Sequence, residues 1–136
     1  MTPVYAELHR WMAQPFTWEG ANCWFVLGDW IKTVRGVDPA AGDRLTFESM
    51  GECQRVTGYF TDPISTVDRR MRAAGIRRGN TLRTGDVALI RVPGQGYPVG
   101  ALWTGDCWGC KGPEGVTTIR RDMAELLAFW SVCDEA

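Results

Sequence analysis

Cys23 is the residue in this chain best placed by its neighbours to act as a nucleophile. It stands in "PFTWEGANCWFVLGDWI", residues 15 to 31, after a turn-like Gly20-Ala21-Asn22 and at the head of an apolar run that reads as a helix. The unpaired N–H groups and the dipole of a helix N-terminus favour thiolate over thiol, and the same N–H groups can hold an oxyanion. The competing reading is packing, because cysteine is among the most buried residue types. Acyl chemistry at a thiolate also needs a positioned proton carrier. His9 is the only histidine in the chain, so it is the only candidate imidazole, and nothing in its spacing directs it to Cys23. Asp86 and Asp106 are possible charged neighbours, but a carboxylate beside the sulfur raises a thiol pKa and opposes activation.

Cys107 and Cys110 form a Cys-x-x-Cys pair at the spacing of half a zinc site or of a redox couple. There is no second such pair, and Cys53, Cys133 and His9 would have to converge from distant segments to complete a tetrahedral set. Three readings stay open for the pair: a hairpin with incidental thiols, a metal site, or a redox couple. No cofactor is expected. Five cysteines at irregular spacing do not suggest a disulfide framework.

The elements that must position these groups can be read from periodicity and punctuation. Val4, Leu8, Trp11 and Met12 predict a short amphipathic helix, with Glu7 and Arg10 facing solvent and Pro15 closing it. Asn22 as cap and Gly36 as stop bound a mostly buried central helix carrying Phe25, Val26, Trp30, Ile31 and Val34. "VDPAAGDRL" reads as a loop, and Met50, Cys53 and Val56 allow another helix. Asp62 and Pro63 open a further helix with Ile64, Val67 and Met71 on one face and Gly75 at its end. Arg69, Arg70, Arg72, Arg77 and Arg78 form a basic cluster, read either as a solvated helix face or as a surface for an acidic partner. Beyond Gly79, "TGDVALIRV" and "YPVGALWTGD" predict an antiparallel pair joined by "PGQG". "CWGCKGPEG" reads as a turn-rich connection, "VTTIR" as a third strand, and "MAELLAFWSV" as a short helix running into a last strand. Helices followed by an antiparallel sheet give an α+β class, and 136 residues suit a single domain spanning 1–136.

A net charge of −1 gives no electrostatic case for nucleic acid or an anionic membrane, and no run approaches the ~18 apolar residues of a spanning helix. The first residues lack the apolar core of a secretory signal, so synthesis and folding in the cytoplasm are expected. Seven tryptophans in so short a chain suggest aromatic contact surfaces as well as a core.

The order of these motifs resembles the NlpC-type cell-wall peptidases, a papain-like class in which an Asp-Cys pair opens the central helix, Gly-Asp begins the first strand and a His-Val-Gly-Ile-like strand supplies the base. It is more similar still to small NlpC-like proteins of tailed phages and gene transfer agents, whose pF-x-W-G-x-x-D-C-x-x-F-x-x-D-W pattern is nearly reproduced by Phe16, Trp18, Gly20, Cys23 and Asp29-Trp30. The resemblance implies an NlpC/papain-like fold with Cys23 at the nucleophile position, Asn22 in place of the aspartate and Gly85-Asp86 at the head of the sheet. Where the peptidases carry the base histidine before Val-Gly, this chain has Pro98. A proline neither accepts nor donates a proton. The resemblance therefore implies a degenerate scaffold kept as a structural component of a tail tip or baseplate in the virion. Such a component docks to tail hub or receptor-binding proteins in several copies, with Trp18, Asn22, Trp24 and Trp103 as candidate groove residues. The alternative it leaves is a peptidoglycan-cleaving cysteine endopeptidase or amidase with Cys23 as nucleophile and His9 or a neighbouring subunit's residue as base.

Overall fold

A computed structural model describes residues 2–133. Four helices precede a five-stranded antiparallel sheet: α1 (Pro3–Met12), α2 (Cys23–Arg35), α3 (Met50–Thr57) and α4 (Pro63–Ala73), then β1 (Val87–Arg91), β2 (Val99–Trp103), β3 (Cys107–Gly112), β4 (Gly115–Arg120) and β5 (Glu125–Trp130). The α+β class is as read from the sequence.

Local chemistry fixes the helix ends. The Asn22 side chain accepts from the Trp24 and Phe25 N–H groups at 3.0 and 2.9 Å, satisfying two of the orphan donors of α2. Gly36 ends that helix with φ 77°, a left-handed turn that a glycine adopts without strain. Ser49 caps α3 and Asp62 caps α4, with Pro63 in its first turn.

The sheet order is β4-β3-β2-β1-β5, so the two edge strands are joined only by residues 121–124, three of them a 3-10 turn. In a flat sheet those edges would lie about 19 Å apart. A link with a 3-10 turn reaches roughly 12 Å. Moreover, Arg120 pairs with Cys107 at one end of the sheet and Glu125 with Arg91 at the other. The sheet must therefore curl until its edges approach. Packing agrees: Ile119 of β4 and Phe129 of β5 meet the same cluster, formed by Ala88, Ile90, Ala101, Trp103, Trp108 and Cys110, which fills the concave side. A shift of register between Leu89 and Ile90 in the β1–β5 pairing adds local bend. The convex side carries the helices. Val4, Leu8 and Trp11 of α1, Val26, Leu27, Trp30 and Ile31 of α2, and Val67 and Met71 of α4 join Val87, Leu89, Leu102 and Trp130 in a second cluster.

Several expectations need correction. "CWGCKGPEG" is not a connection: Cys107–Gly112 is a central strand paired to both neighbours, and Pro113-Glu114 alone make the turn into β4. "MAELLAFWSV" contains no α-helix, since Arg121–Met123 is the 3-10 turn and Glu125–Trp130 is a strand. Met12 is exposed whereas Glu7 is buried, its carboxylate accepting from Trp11 Nε1 at 2.8 Å and from the Arg10 guanidinium. Residues 4, 7, 8 and 11 share one helical face, and a paired carboxylate is accepted within it. Val34 is exposed at the end of α2.

Candidate functional site

The cavity that brings the sequence candidates together has a volume of about 260 Å³ and lies where the first turn of α2 meets the β1–β2 hairpin. Phe16, Trp18, Asn22, Cys23, Trp24, Phe47, Cys53, Tyr59, Phe60, Tyr97, Pro98 and Gly100 are in its walls. Close approach of α2 to β2 makes this possible. A Cβ on Gly100 would stand 2.6 Å from Leu27 Cδ1, so any larger residue would have to displace the Leu27 side chain for the strand to run this near the helix.

Cys23 is half-buried in this wall. Burial dominates its titration and pushes the thiol above its ordinary value, although the backbone N–H groups of Gly100, Cys23 and Trp24 pull the other way. The helix N-terminus thus does not produce the lowered thiol pKa that its position alone suggests. Burial also raises Cys53, another thiol in the walls, and holds the Tyr59 hydroxyl protonated.

Pro98 is buried in the cavity wall, two residues before Gly100 on the strand that touches Cys23. Its carbonyl accepts the Tyr59 hydroxyl at 2.6 Å. The polar groups around it are engaged in the same way. Asn22 caps α2 and donates to the Trp18 carbonyl at 2.8 Å. Asp43 takes Arg70 in a two-pronged pair, at 2.5 Å from Nε and 2.9 Å from Nη2, and also accepts Trp24 Nε1 at 2.8 Å. Lys111 Nζ donates to the carbonyls of Trp11 and Gln14 at the end of α1. What the cavity offers an occupant is mainly aromatic and aliphatic surface.

Of the predicted residues, Cys23, Trp18, Asn22, Trp24 and Cys110 line this cavity, and Trp103 and Cys107 do not. Trp103 points into the concave side of the sheet, packed on Trp108 at 4.8 Å between ring centroids and beneath the Arg121 guanidinium. His9 is exposed on α1 and is not among the lining residues. Asp86 is likewise absent from the walls: it is buried before β1, accepting from the Arg83 and Val132 N–H groups at 2.9 and 3.0 Å. Asp106 is exposed in the β2–β3 turn. Cys107 and Cys110, three apart on a regular strand, face opposite sides of the sheet. Cys110 joins the concave cluster, with its thiol pushed up to about 12 by burial, while Cys107 lies against the Thr104 hydroxyl at 3.5 Å. They cannot chelate one ion or pair with each other, which removes the metal and redox readings of this motif. Among the described residues no group of three or more His, Cys, Asp or Glu side chains is arranged to hold a metal.

The sequence reading missed Tyr59, Phe60 and the Asp43–Arg70 pair. Two aromatics directly after the glycine that ends α3 were the available signal for the first two. Arg70 was read with its basic neighbours, yet it turns inward, while Arg72 pairs with Asp68 at 3.0 Å and Arg78 covers the Trp130 ring.

No curated protein and no solved structure matches this chain. A family described as a domain of unknown function, DUF6950, matches residues 2–132. That match runs through every helix and strand described above, and the chain belongs to the DUF6950 family.

Proposed function

We propose that this protein is a non-catalytic binding component of a phage or phage-like tail tip, built on a degenerate NlpC-type scaffold whose cavity beside Cys23 receives part of a neighbouring tail protein. The observation that carries the reading is Pro98: the residue where the resemblance requires a base stands in the cavity wall, with its carbonyl taken by Tyr59. The NlpC-type assignment itself is supported by the placement of Cys23 at the head of α2 against the strand that begins Val99-Gly100, and by Gly85-Asp86 directly before β1. A thiol that burial keeps protonated, in a cavity without an imidazole, lacks the means to take up and deliver a proton.

A specific observation favours a second reading, a peptidoglycan endopeptidase or amidase. Cys23 opens α2, so the unpaired backbone N–H groups of that helix's first turn lie beside its sulfur, where an oxyanion could form. Purified cell-wall peptidoglycan separates the two. The proposed function predicts no muropeptide release above buffer, with Cys23→Ser indistinguishable from the unaltered chain. Release that disappears in Cys23→Ser would establish the enzyme instead. The assembly half of the proposal is tested by quantifying the chain in purified particles, where it is expected in multiple copies in the tail fraction.

A further inference from the structure

Residues 92–98, Val-Pro-Gly-Gln-Gly-Tyr-Pro, connect β1 to β2 and contribute Val92, Gln95, Tyr97 and Pro98 to the cavity wall. The pairing of the two strands stops at Ile90 with Val99. Pro98, one position further out, has no N–H to continue it. Beyond that point the segment has a stiff tip and a loose joint. Val92-Pro93-Gly94-Gln95 is a type II turn, with proline second, Gly94 third at φ 89°, and the Gln95 N–H donating to the Val92 carbonyl at 3.0 Å. Gly96 follows, and nothing about its place requires glycine. Its φ is not positive, and a Cβ built there would meet nothing within 4 Å. Glycine at this position supplies freedom rather than room. Pro93, Gly94, Gln95 and Gly96 are all exposed.

The feet of this segment and the wall opposite it are fixed. Val92 and Val99 pack on the concave cluster of the sheet. Across the cavity, Tyr59 and Phe60 are tied to α3: the Tyr59 N–H donates to the Thr57 hydroxyl at 3.1 Å and the Phe60 N–H to the Gln54 side chain at 2.8 Å. The segment is clasped to that wall by the Phe60 and Tyr97 rings, edge to face at 4.8 Å between centroids, and by the Tyr59 hydroxyl donating to the Pro98 carbonyl at 2.6 Å. One aromatic edge contact and one neutral hydrogen bond make a weak clasp. Tyr97 is the one large side chain the segment carries, and it stands beside the thiol: burial raises its hydroxyl, and so does the charge of Cys23 when ionised.

We infer that residues 93–98 are a flap over the cavity beside Cys23, latched by Tyr97 on Phe60 and Pro98 on Tyr59 and pivoting at Gly96, and that its opening governs entry to the cavity. The inference rests on the reading that the cavity receives an occupant, and it adds how that occupant is admitted. Opening breaks only the two latch contacts and leaves both feet in the closed cluster, so it is a local event well below the cost of unfolding.

The test uses the full chain and two maleimides of different size, N-ethylmaleimide and N-(1-pyrenyl)maleimide, with labelling of Cys23 followed by peptide mass spectrometry. Flap opening exposes little surface, so labelling below the unfolding transition is expected to rise only weakly with urea. Tyr97→Ala removes the ring latch and is expected to speed the pyrenyl reagent about tenfold and N-ethylmaleimide less; Tyr59→Phe, which removes only the hydroxyl, is expected to speed the pyrenyl reagent about threefold. Gly96→Ala stiffens the pivot and is expected to slow both reagents about threefold, with the exposed Cys133 unchanged in every variant. A shift in thiolate fraction speeds both reagents alike, so the dependence on size isolates access. Labelling that carries the full urea dependence of unfolding, unchanged rates in both latch variants, an equal gain for the two reagents, or no slowing in Gly96→Ala would each overturn the inference. Muropeptide release is read separately, so the non-catalytic reading survives a failed flap, and a working flap survives the loss of that reading.

Discussion

The concave side of the sheet and the cavity beside α2 are built from the same materials, aromatic rings and cysteines, and end in opposite states. In the first, Trp103, Trp108 and Cys110 close on Ala88, Ile90 and Ala101, all of them buried. In the second, Trp18, Trp24, Cys23 and Cys53 stand around about 260 Å³ of open space. The difference lies in what backs each wall. Curling of the sheet brings β4 and β5 together over the first, so its side chains find partners from five strands. The second opens at the head of α2 and reaches strand residues including Ala88, Cys110 and Ile119, and polar groups around it bond among themselves, Asp43 with Arg70 and Trp24, Tyr59 with Pro98. Those bonds hold the walls apart. A closed interior serves stability, and a propped-open one is available for contact.

Substitutions can break this comparison. Trp108→Ala removes the centre of the closed interior and is expected to cost about 4 kcal/mol in urea unfolding; a loss below about 1.5 kcal/mol would mean the sheet is not closed over it. Asp43→Ala leaves Arg70 and the Trp24 indole without their acceptor, and a loss of about 3 kcal/mol with a lower melting temperature is expected from breaking a largely buried pair. Matched thiols sharpen the contrast. Cys110→Ser places a hydroxyl against the closed interior, where that cluster meets the cavity wall, and should cost about 2 kcal/mol. Cys23→Ser, in the wall of the open cavity, should cost less than about 1 kcal/mol. Equal effects would erase the distinction between the two regions. The smallest change is Leu45→Gly: Leu45 is exposed with φ 63°, and relief of that backbone strain offsets glycine's extra freedom in the unfolded chain, leaving stability within about 0.5 kcal/mol.

What could be read in advance was local. Asn22, Gly36 and Asp62 mark helix ends through bonds to residues two to four positions away, and Pro63 through its fixed φ, so a linear reading suffices. β3 was hidden because Gly109, Gly112 and Pro113 resemble turn material, and its strand character comes from pairing with β2 and β4. β5 was blurred by an apolar run whose spacing also suits a helix, and its partners at β1 are almost forty residues away. Glu7 and Arg70 were assigned to solvent by residue type, while the fold supplied Trp11 and Asp43 as partners. Cys23 and Pro98 were legible as a pair of positions through a resemblance, and the cavity between them was not, because Tyr59, Phe47 and Cys53 arrive from a segment whose path the sequence does not announce.

The proposal that Cys23 binds rather than reacts rests on a cavity whose lining holds no imidazole. It is tested most directly by the pH dependence of iodoacetamide labelling at Cys23, followed peptide by peptide in a mass spectrometer. Burial raises the folded thiol's pKa, so the unfolded chain loses this proton first as pH climbs, and the site's contribution to stability declines above the ordinary thiol range. Labelling in the folded state should accordingly stay slow at neutral pH and rise steadily into the alkaline range, lagging the exposed Cys133 throughout. Fast labelling that levels off between about pH 5 and 7, the signature of a thiolate paired with an imidazolium, would contradict the account.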